Sequence, residues 1–190
     1  MNHAKRVLAF VGSPRVGGNT DTLVDKVLRG AKEKGAVTDK ITLGQSNISP
    51  CHACDACAKT GICIQRDDMD GILERMQQSD VWVFGTPVYW WGASAQFKLF
   101  LDRWYAPWQT AETKRIFNNR KAALVIAMGD SDPSTADPTL GMFERALAYV
   151  GIDIVATVLA PGVYGHGDAA ARADLMEKAN AAGRAIAELG

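Results

Sequence analysis

One stretch constrains this chain more than any other: residues 7–22, VLAFVGSPRVGGNTDT. It begins with an apolar run, Val7-Leu8-Ala9-Phe10-Val11, the pattern of a strand buried in a parallel sheet. The run breaks at Gly12 into a small polar loop, Ser13-Pro14-Arg15-Val16-Gly17-Gly18-Asn19-Thr20. Leu23, Val24, Val27 and Leu28 then recur at helical spacing. Strand, loop and helix in this order present backbone N–H groups and the positive end of a helix to an anion such as a phosphate. Glycines such as Gly18 let the backbone approach it. Ser13, Asn19 and Thr20 add side-chain donors, and Arg15 adds a fixed positive charge. The bland alternative is a glycine-rich strand-to-helix turn that binds nothing.

Two common nucleotide sites are excluded. A Walker loop needs Lys after its second glycine, and Gly18 occupies that place. The dinucleotide fingerprint G-x-G-x-x-G is absent, and no acidic residue stands at Leu43-Gly44-Gln45 to meet a ribose. What remains is a site for a phosphomonoester. The zero net charge argues against a nucleic-acid or anionic-membrane partner. No apolar run reaches membrane-spanning length. The start, MNHAKR, leads into the first strand without a signal-peptide core, which predicts a cytoplasmic protein.

Along the rest of the chain, β and α patterns alternate. Residues 6–11, 37–43, 81–84, 121–127 and 152–159 read as strands. Residues 20–34, 69–78, 93–104, 138–150 and 169–189 read as helices, with Asp67 or Asp68 as the cap of the second. This predicts one α/β domain over residues 1–190: a five-stranded parallel sheet, order 2-1-3-4-5, with helices on both faces in a three-layer sandwich. In such a sheet a ligand lies at the carboxyl ends of the strands. The informative residues therefore follow strands one, three and four: the Ser13 loop, residues 86–92, and Gly129-Asp130.

After strand three comes Thr86-Pro87-Val88-Tyr89-Trp90-Trp91-Gly92. Three adjacent aromatics on a loop tip call for a flat ligand or another protein surface. Trp104, Tyr105 and Trp108 follow closely. His166, between two glycines after strand five, reads either as a surface turn or as a loop touching a ligand. No Ser-His-Asp order and no carboxylate pair suggests a catalytic side chain.

The four cysteines, Cys51, Cys54, Cys57 and Cys63, follow C-x2-C-x2-C-x5-C. Crowded thiolates in a reducing compartment read as metal or redox chemistry before disulfides. Their spacing suits a [4Fe–4S] cluster better than zinc, which more often sits between two separated knuckles.

Three blocks, GSPRVGGNT, the segment ending in GICIQRDDM, and GTPVYWWGASAQFKLFLDRW, make the chain resemble the NAD(P)H-dependent FMN reductase family of flavodoxin-like proteins. The resemblance covers the chain to about residue 130, and the tryptophan-rich segment 104–108 departs from it. It implies FMN, with its phosphate on Ser13, Arg15, Asn19 and Thr20 and its ring against Pro87, Val88, Tyr89, Trp90 and Gly92. It also implies an oxidoreductase passing electrons from NAD(P)H to a small acceptor, assembled as a homodimer or homotetramer with the flavin near the seam. The cysteine spacing matches the iron–sulfur flavoprotein branch of that family, where a cluster sits beside the FMN of a neighbouring subunit. Free thiols near the flavin are the alternative, since related reductases carry no cluster. Two rival readings remain: an electron carrier served by a ferredoxin-like donor, and a flavin-binding interaction module without enzymatic activity.

Overall fold

The computed structural model describes residues 4–189. Five strands form one parallel sheet in the order β2-β1-β3-β4-β5: β1 Arg6–Val11, β2 Val37–Thr42, β3 Val81–Pro87, β4 Lys121–Ala127 and β5 Asp153–Ala160. Between and after them lie α1 Asn19–Glu33, α2 Met69–Gln77, α3 Ala95–Asp102, α4 Asp137–Tyr149, a short α5 Asp168–Ala171 and α6 Ala173–Ala187. Strand order and layering agree with the alternation in the sequence, giving the flavodoxin-like α/β fold. Among the described residues, no helix is long and apolar enough to cross a membrane.

The period-2 geometry of strands sorts the core into two unlike halves. Leu8, Phe10, Trp82, Phe84, Leu124 and Ile126 point to one face, where Met69, Phe97, Phe100 and Phe143 of α2, α3 and α4 cover them. Val7, Ala9, Val11, Val83, Ala123 and Val125 point to the other, under α1 and α6. The first half is aromatic and thick. Phe10 stacks on Phe100 at 4.6 Å between ring centroids, and Trp82 donates its indole N–H to Ser79 Oγ at 2.8 Å. The second half is built of small aliphatics, so its helices sit close.

Glycines set that closeness. A Cβ on Gly30 of α1 would fall 2.1 Å from Asn180 O, and one on Gly183 of α6 would fall 1.9 Å from Val27 O. The two helices thus touch backbone to backbone.

Two expectations are corrected. The last helix does not run unbroken over 169–189. Arg172 adopts an extended backbone (φ −96°, ψ 93°) and splits it in two. The reason is tertiary: Ala169 N–H donates to Asn19 Oδ1, holding α5 at the start of α1, and α6 must then turn to lie along α1. Helix three ends at Asp102 and tightens into a 3-10 turn, Arg103–Tyr105. Another 3-10 turn, Thr113–Phe117, has no counterpart in the sequence pattern; it drives Ile116 and Phe117 into the aromatic core before β4.

Gly183→Ala should lose about 1–3 kcal/mol of unfolding free energy in urea, because backbone blocks the new methyl. Gly71→Ala, in α2 with open space at its Cβ, should be neutral or gain up to about 1 kcal/mol. Equal effects would contradict the close α1–α6 contact.

Candidate cofactor cleft and cysteine cradle

The carboxyl ends of β1, β3 and β4 open into one cleft. It encloses about 480 Å³, lined by Ser13, Arg15, Asn19 and Thr20 after β1, by Pro87 at the end of β3 with Val88 and Tyr89 after it, and by Met128, Gly129 and Asp130 after β4. A parallel sheet places all three loops on the same edge, which is why residues so distant in sequence meet. Val163 and Tyr164, from the loop after β5, complete the wall.

The first loop is held from below. Asp21, buried in the first turn of α1, accepts the Gly17 N–H at 2.7 Å, while Gly17 takes a φ of +69°. Lys40 on β2 donates to Asp21 Oδ1 at 2.7 Å and to Asp25 Oδ1 at 2.6 Å. Burial of the lysine opposes its charge, but the two aspartates outweigh it and raise its pKa. Asn19 is committed to structure: its amide donates to Val163 O (3.1 Å) and Gly165 O (2.8 Å) and accepts from Ala169 N–H. Gly18 is the cap of α1 and lies outside the cleft lining. Ser13 and Thr20 are buried and Arg15 is exposed.

The aromatic loop is a two-residue hairpin. Tyr89 and Gly92 exchange backbone hydrogen bonds at 2.9 and 3.0 Å, and Trp90 and Trp91 carry φ of +50° and +60°. Bulky residues rarely adopt this left-handed geometry. It faces Tyr89 to the cleft but leaves Trp90 92% exposed, so neither Trp90 nor Gly92 lines it. Trp104 and Trp108 are also elsewhere. Trp104 is buried between Trp82, Phe84, Phe100 and Phe117, and Trp108 packs on Phe117 and Tyr149.

Asp130 lines the cleft, yet its carboxylate serves its own loop. It accepts Asp132 N–H at 2.9 Å and the Thr135 hydroxyl at 3.0 Å, and these bonds hold its pKa low. Tyr164, 83% exposed, stands over Gly129, where a Cβ would meet its ring at 2.8 Å. Its loop is stitched by Gly162 N–H to Asp130 O, Val163 N–H to Met128 O, and Asp168 Oδ2 accepting from Tyr164 and Gly165. His166 lies beside Gly17, outside the cleft lining.

The cysteines gather elsewhere. Cys51, Cys54, Cys57 and Cys63 line one concavity with Arg103, Tyr105 and Ala106, sharing no residue with the cleft. Ala53 and Asp55, on either side of Cys54, have φ of +50° and +55°. Such left-handed residues turn successive N–H groups toward a common centre, the backbone arrangement that suits anionic clusters. Tyr105 OH donates to Asp55 Oδ1 at 2.9 Å, pinning this turn to the end of α3. Burial first, then the neighbouring cysteines, push the Cys57 thiol's pKa up. Among the described residues, no three His, Cys, Asp or Glu side chains are arranged to hold a single metal ion.

The cradle hangs on a buried ion pair. Arg103 Nη1 lies 2.5 Å from Asp67 Oδ2, with side chains 2% and 3% exposed. Arg103 also donates to Ser49 O at 2.9 Å, and Asp67 accepts from Ser49 N–H and Met69 N–H at 3.0 Å each. Asp67 therefore serves the start of α2, as expected of a cap. Asp68, at the cap position, instead accepts from Asn47 N–H at 2.7 Å. Tyr164, Arg103 and Lys40 were not legible as site residues, because only folding brings them there. The Arg103 in the third sequence block carried the one available hint.

A flavodoxin-like sheet with a cleft of mixed polar and apolar lining at its strand ends defines the class. Residues 5–140 match the family described as NADPH-dependent FMN reductase, and the chain belongs to that family. YwqN of Bacillus subtilis, provisionally named an NAD(P)H-dependent FMN-containing oxidoreductase, is 33% identical over 163 residues, 83% of this chain and 85% of that protein. An iron-sulfur flavoprotein of Methanocaldococcus jannaschii is 41% identical over 98 residues, 52% of this chain and 51% of that protein. The match thus spans about half the length of that relative. Among solved structures, the Trp repressor binding protein from Bacillus subtilis superposes with a TM-score of 0.71 at 25% identity, over 92% of this chain and 95% of the other. An NAD(P)H:quinone oxidoreductase from Methanothermobacter marburgensis shares the fold with a TM-score of 0.78 at 18% identity, over 99% and 98%.

Asp67→Asn leaves a buried guanidinium unpaired and should cost about 3–5 kcal/mol near neutral pH. Arg103 and the two N–H donors hold the folded Asp67 pKa below its ordinary value, although burial opposes them. This stabilisation is therefore complete above the unfolded carboxylate pKa and is lost as pH falls through the folded one. Urea unfolding of wild type and variant should diverge near neutrality and converge in acid; a gap independent of pH contradicts the assignment.

Proposed function

We propose that the chain is an FMN-dependent oxidoreductase that carries electrons from NAD(P)H to a small acceptor. One observation carries this reading: the loop after β1, with its hydroxyls and Arg15, the segment Pro87–Tyr89 and the β4 loop converge on a single cleft of cofactor size. Ser13, Arg15 and Thr20, with the first N–H groups of α1, would hold the phosphate. Pro87, Val88, Tyr89, Gly129 and Tyr164 would hold the ring. Asn19, Gly18, Asp21 and Lys40 act at one remove by fixing the loop. The redox chemistry, two electrons in from NAD(P)H and out to the acceptor, is that of FMN when bound. The protein's part is to bind, orient and shield; no side chain in the cleft has the geometry of an acid–base pair.

Arg15→Gln should weaken FMN about 10–100-fold, the worth of a charge-assisted hydrogen bond, and leave riboflavin affinity unchanged. Trp90→Ala should bind both as wild type does. Fluorescence titration measures all six affinities, those of wild type included. Equal loss of FMN and riboflavin in Arg15→Gln would move the phosphate elsewhere, and no FMN binding by wild type would end the reading.

The gathered cysteines favour a second element, a [4Fe–4S] cluster on Cys51, Cys54, Cys57 and Cys63. The four cysteines line one concavity with left-handed residues between them, and this placement supports the reading. It would supply one-electron capacity beside the flavin's two. Protein purified without oxygen should contain about four irons and four sulfides per chain and lose them in Cys57→Ser. Iron-free protein under those conditions returns the cysteines to free thiols.

A further inference from the structure

Among the described residues that line the cysteine concavity, Arg103 is the one permanent cation, and it is buried, whereas the carboxylate there, Asp55, is exposed. Its partner Asp67 does not line that space. The pair is therefore a fixed dipole with its positive end toward the cysteines. Arg103 also enters from the 3-10 turn that buries Trp104, so a packed aromatic on the same turn holds the guanidinium in place. A buried charge with little freedom to reorient is screened much less than an exposed one.

We propose that Arg103 sets the electron affinity of the cysteine site, with Asp67 positioning it and moderating its charge. The proposal rests on the [4Fe–4S] reading above. Uptake of one electron adds one negative charge to the cluster and its thiolates, with no bond made or broken. A nearby buried cation favours that added charge. Its anionic partner, standing farther off, opposes it more weakly. The pair as a whole makes the cluster easier to reduce. Removing both charges should make reduction harder; removing only Asp67 should make it easier.

This opposition separates tuning from mere support. If Arg103 and Asp67 only brace the loop, both changes loosen the same cradle and shift the cluster alike. The experiment is a dithionite titration with mediator dyes, followed by electron paramagnetic resonance, on the full chain assembled with iron and sulfide. Two variants are compared with wild type: Asp67→Asn, and the double variant Arg103→Met with Asp67→Asn. The double variant leaves no unpaired buried charge, so it retains the fold where the single change strains it.

The expected result is a midpoint more negative in the double variant by about tenfold in the one-electron equilibrium constant, equivalent to roughly 59 mV. Asp67→Asn should move it in the positive direction. Shifts of the same sign in both variants, or an unmoved double variant, overturn the proposal while leaving the cluster in place. If Asp67→Asn does not fold, the double variant decides alone: a midpoint at or above that of wild type is fatal. Wild type that takes up no iron and sulfide sinks the cluster reading itself, and the proposal with it. Iron and sulfide content therefore tells the two failures apart.

Discussion

The cleft depends on a hydrogen bond of 2.6 Å from Ser94 Oγ to the carbonyl of Gly12. That hydroxyl also accepts Phe97 N–H, capping α3, and Ser94 N–H donates to Thr86 Oγ1 on β3. Gly12 N–H in turn donates to Gly85 O at 2.7 Å. The mouth of β1, the end of β3 and the start of α3 are thus one buried junction. Gly12 has no room for a side chain, since a Cβ would meet both Phe97 and Ser94 at 2.9 Å. Every polar group in the junction has a partner, and removing one leaves another unsatisfied and buried. The loop that follows Gly12 consequently leaves the sheet in one direction only. A ligand arriving there meets donors already in place, which lowers the ordering cost of binding.

Of the five non-glycine residues with left-handed backbone among those described, four adjoin the cleft or the cysteines; the fifth, Asn119, precedes β4. Trp90 and Trp91 occupy left-handed backbone at the rim of the cleft, and Ala53 and Asp55 do so among the cysteines. Each such residue costs of order 1 kcal/mol or more and persists only when its surroundings hold it. Here the holding bonds are visible: the paired Tyr89–Gly92 contacts, Thr139 Oγ1 to Trp91 O, and Tyr105 OH to Asp55. The thick aromatic core beneath α2, α3 and α4 supplies the rigid base on which these turns are carried.

Two buried carboxylates follow one design. Asp21 and Asp67 each bind backbone N–H groups of a functional loop, and each is matched by a base from another element, Lys40 from β2 and Arg103 after α3. The carboxylate shapes the loop, and the base removes the penalty of burying a charge. In both cases the base reaches the site only through its partner's loop, so neither can be assigned from local sequence.

The residues themselves determined much of this protein. The limits of β1 and β4 follow from their apolar runs, and strand order and layering follow from the β/α alternation. The lining of the cleft by Ser13, Arg15, Pro87–Tyr89 and Gly129 follows from the rule that parallel strands end on one edge. These are consequences of periodicity and chain direction, which are local. The break at Arg172, the outward turn of Trp90, the burial of Trp104, the arrival of Tyr164 over Gly129 and the pairing of Arg103 with Asp67 were decided only in three dimensions. Each depends on which surfaces compete for the same space or the same hydrogen bond once the sheet has closed. A chain of residue types carries no record of that competition until it is packed.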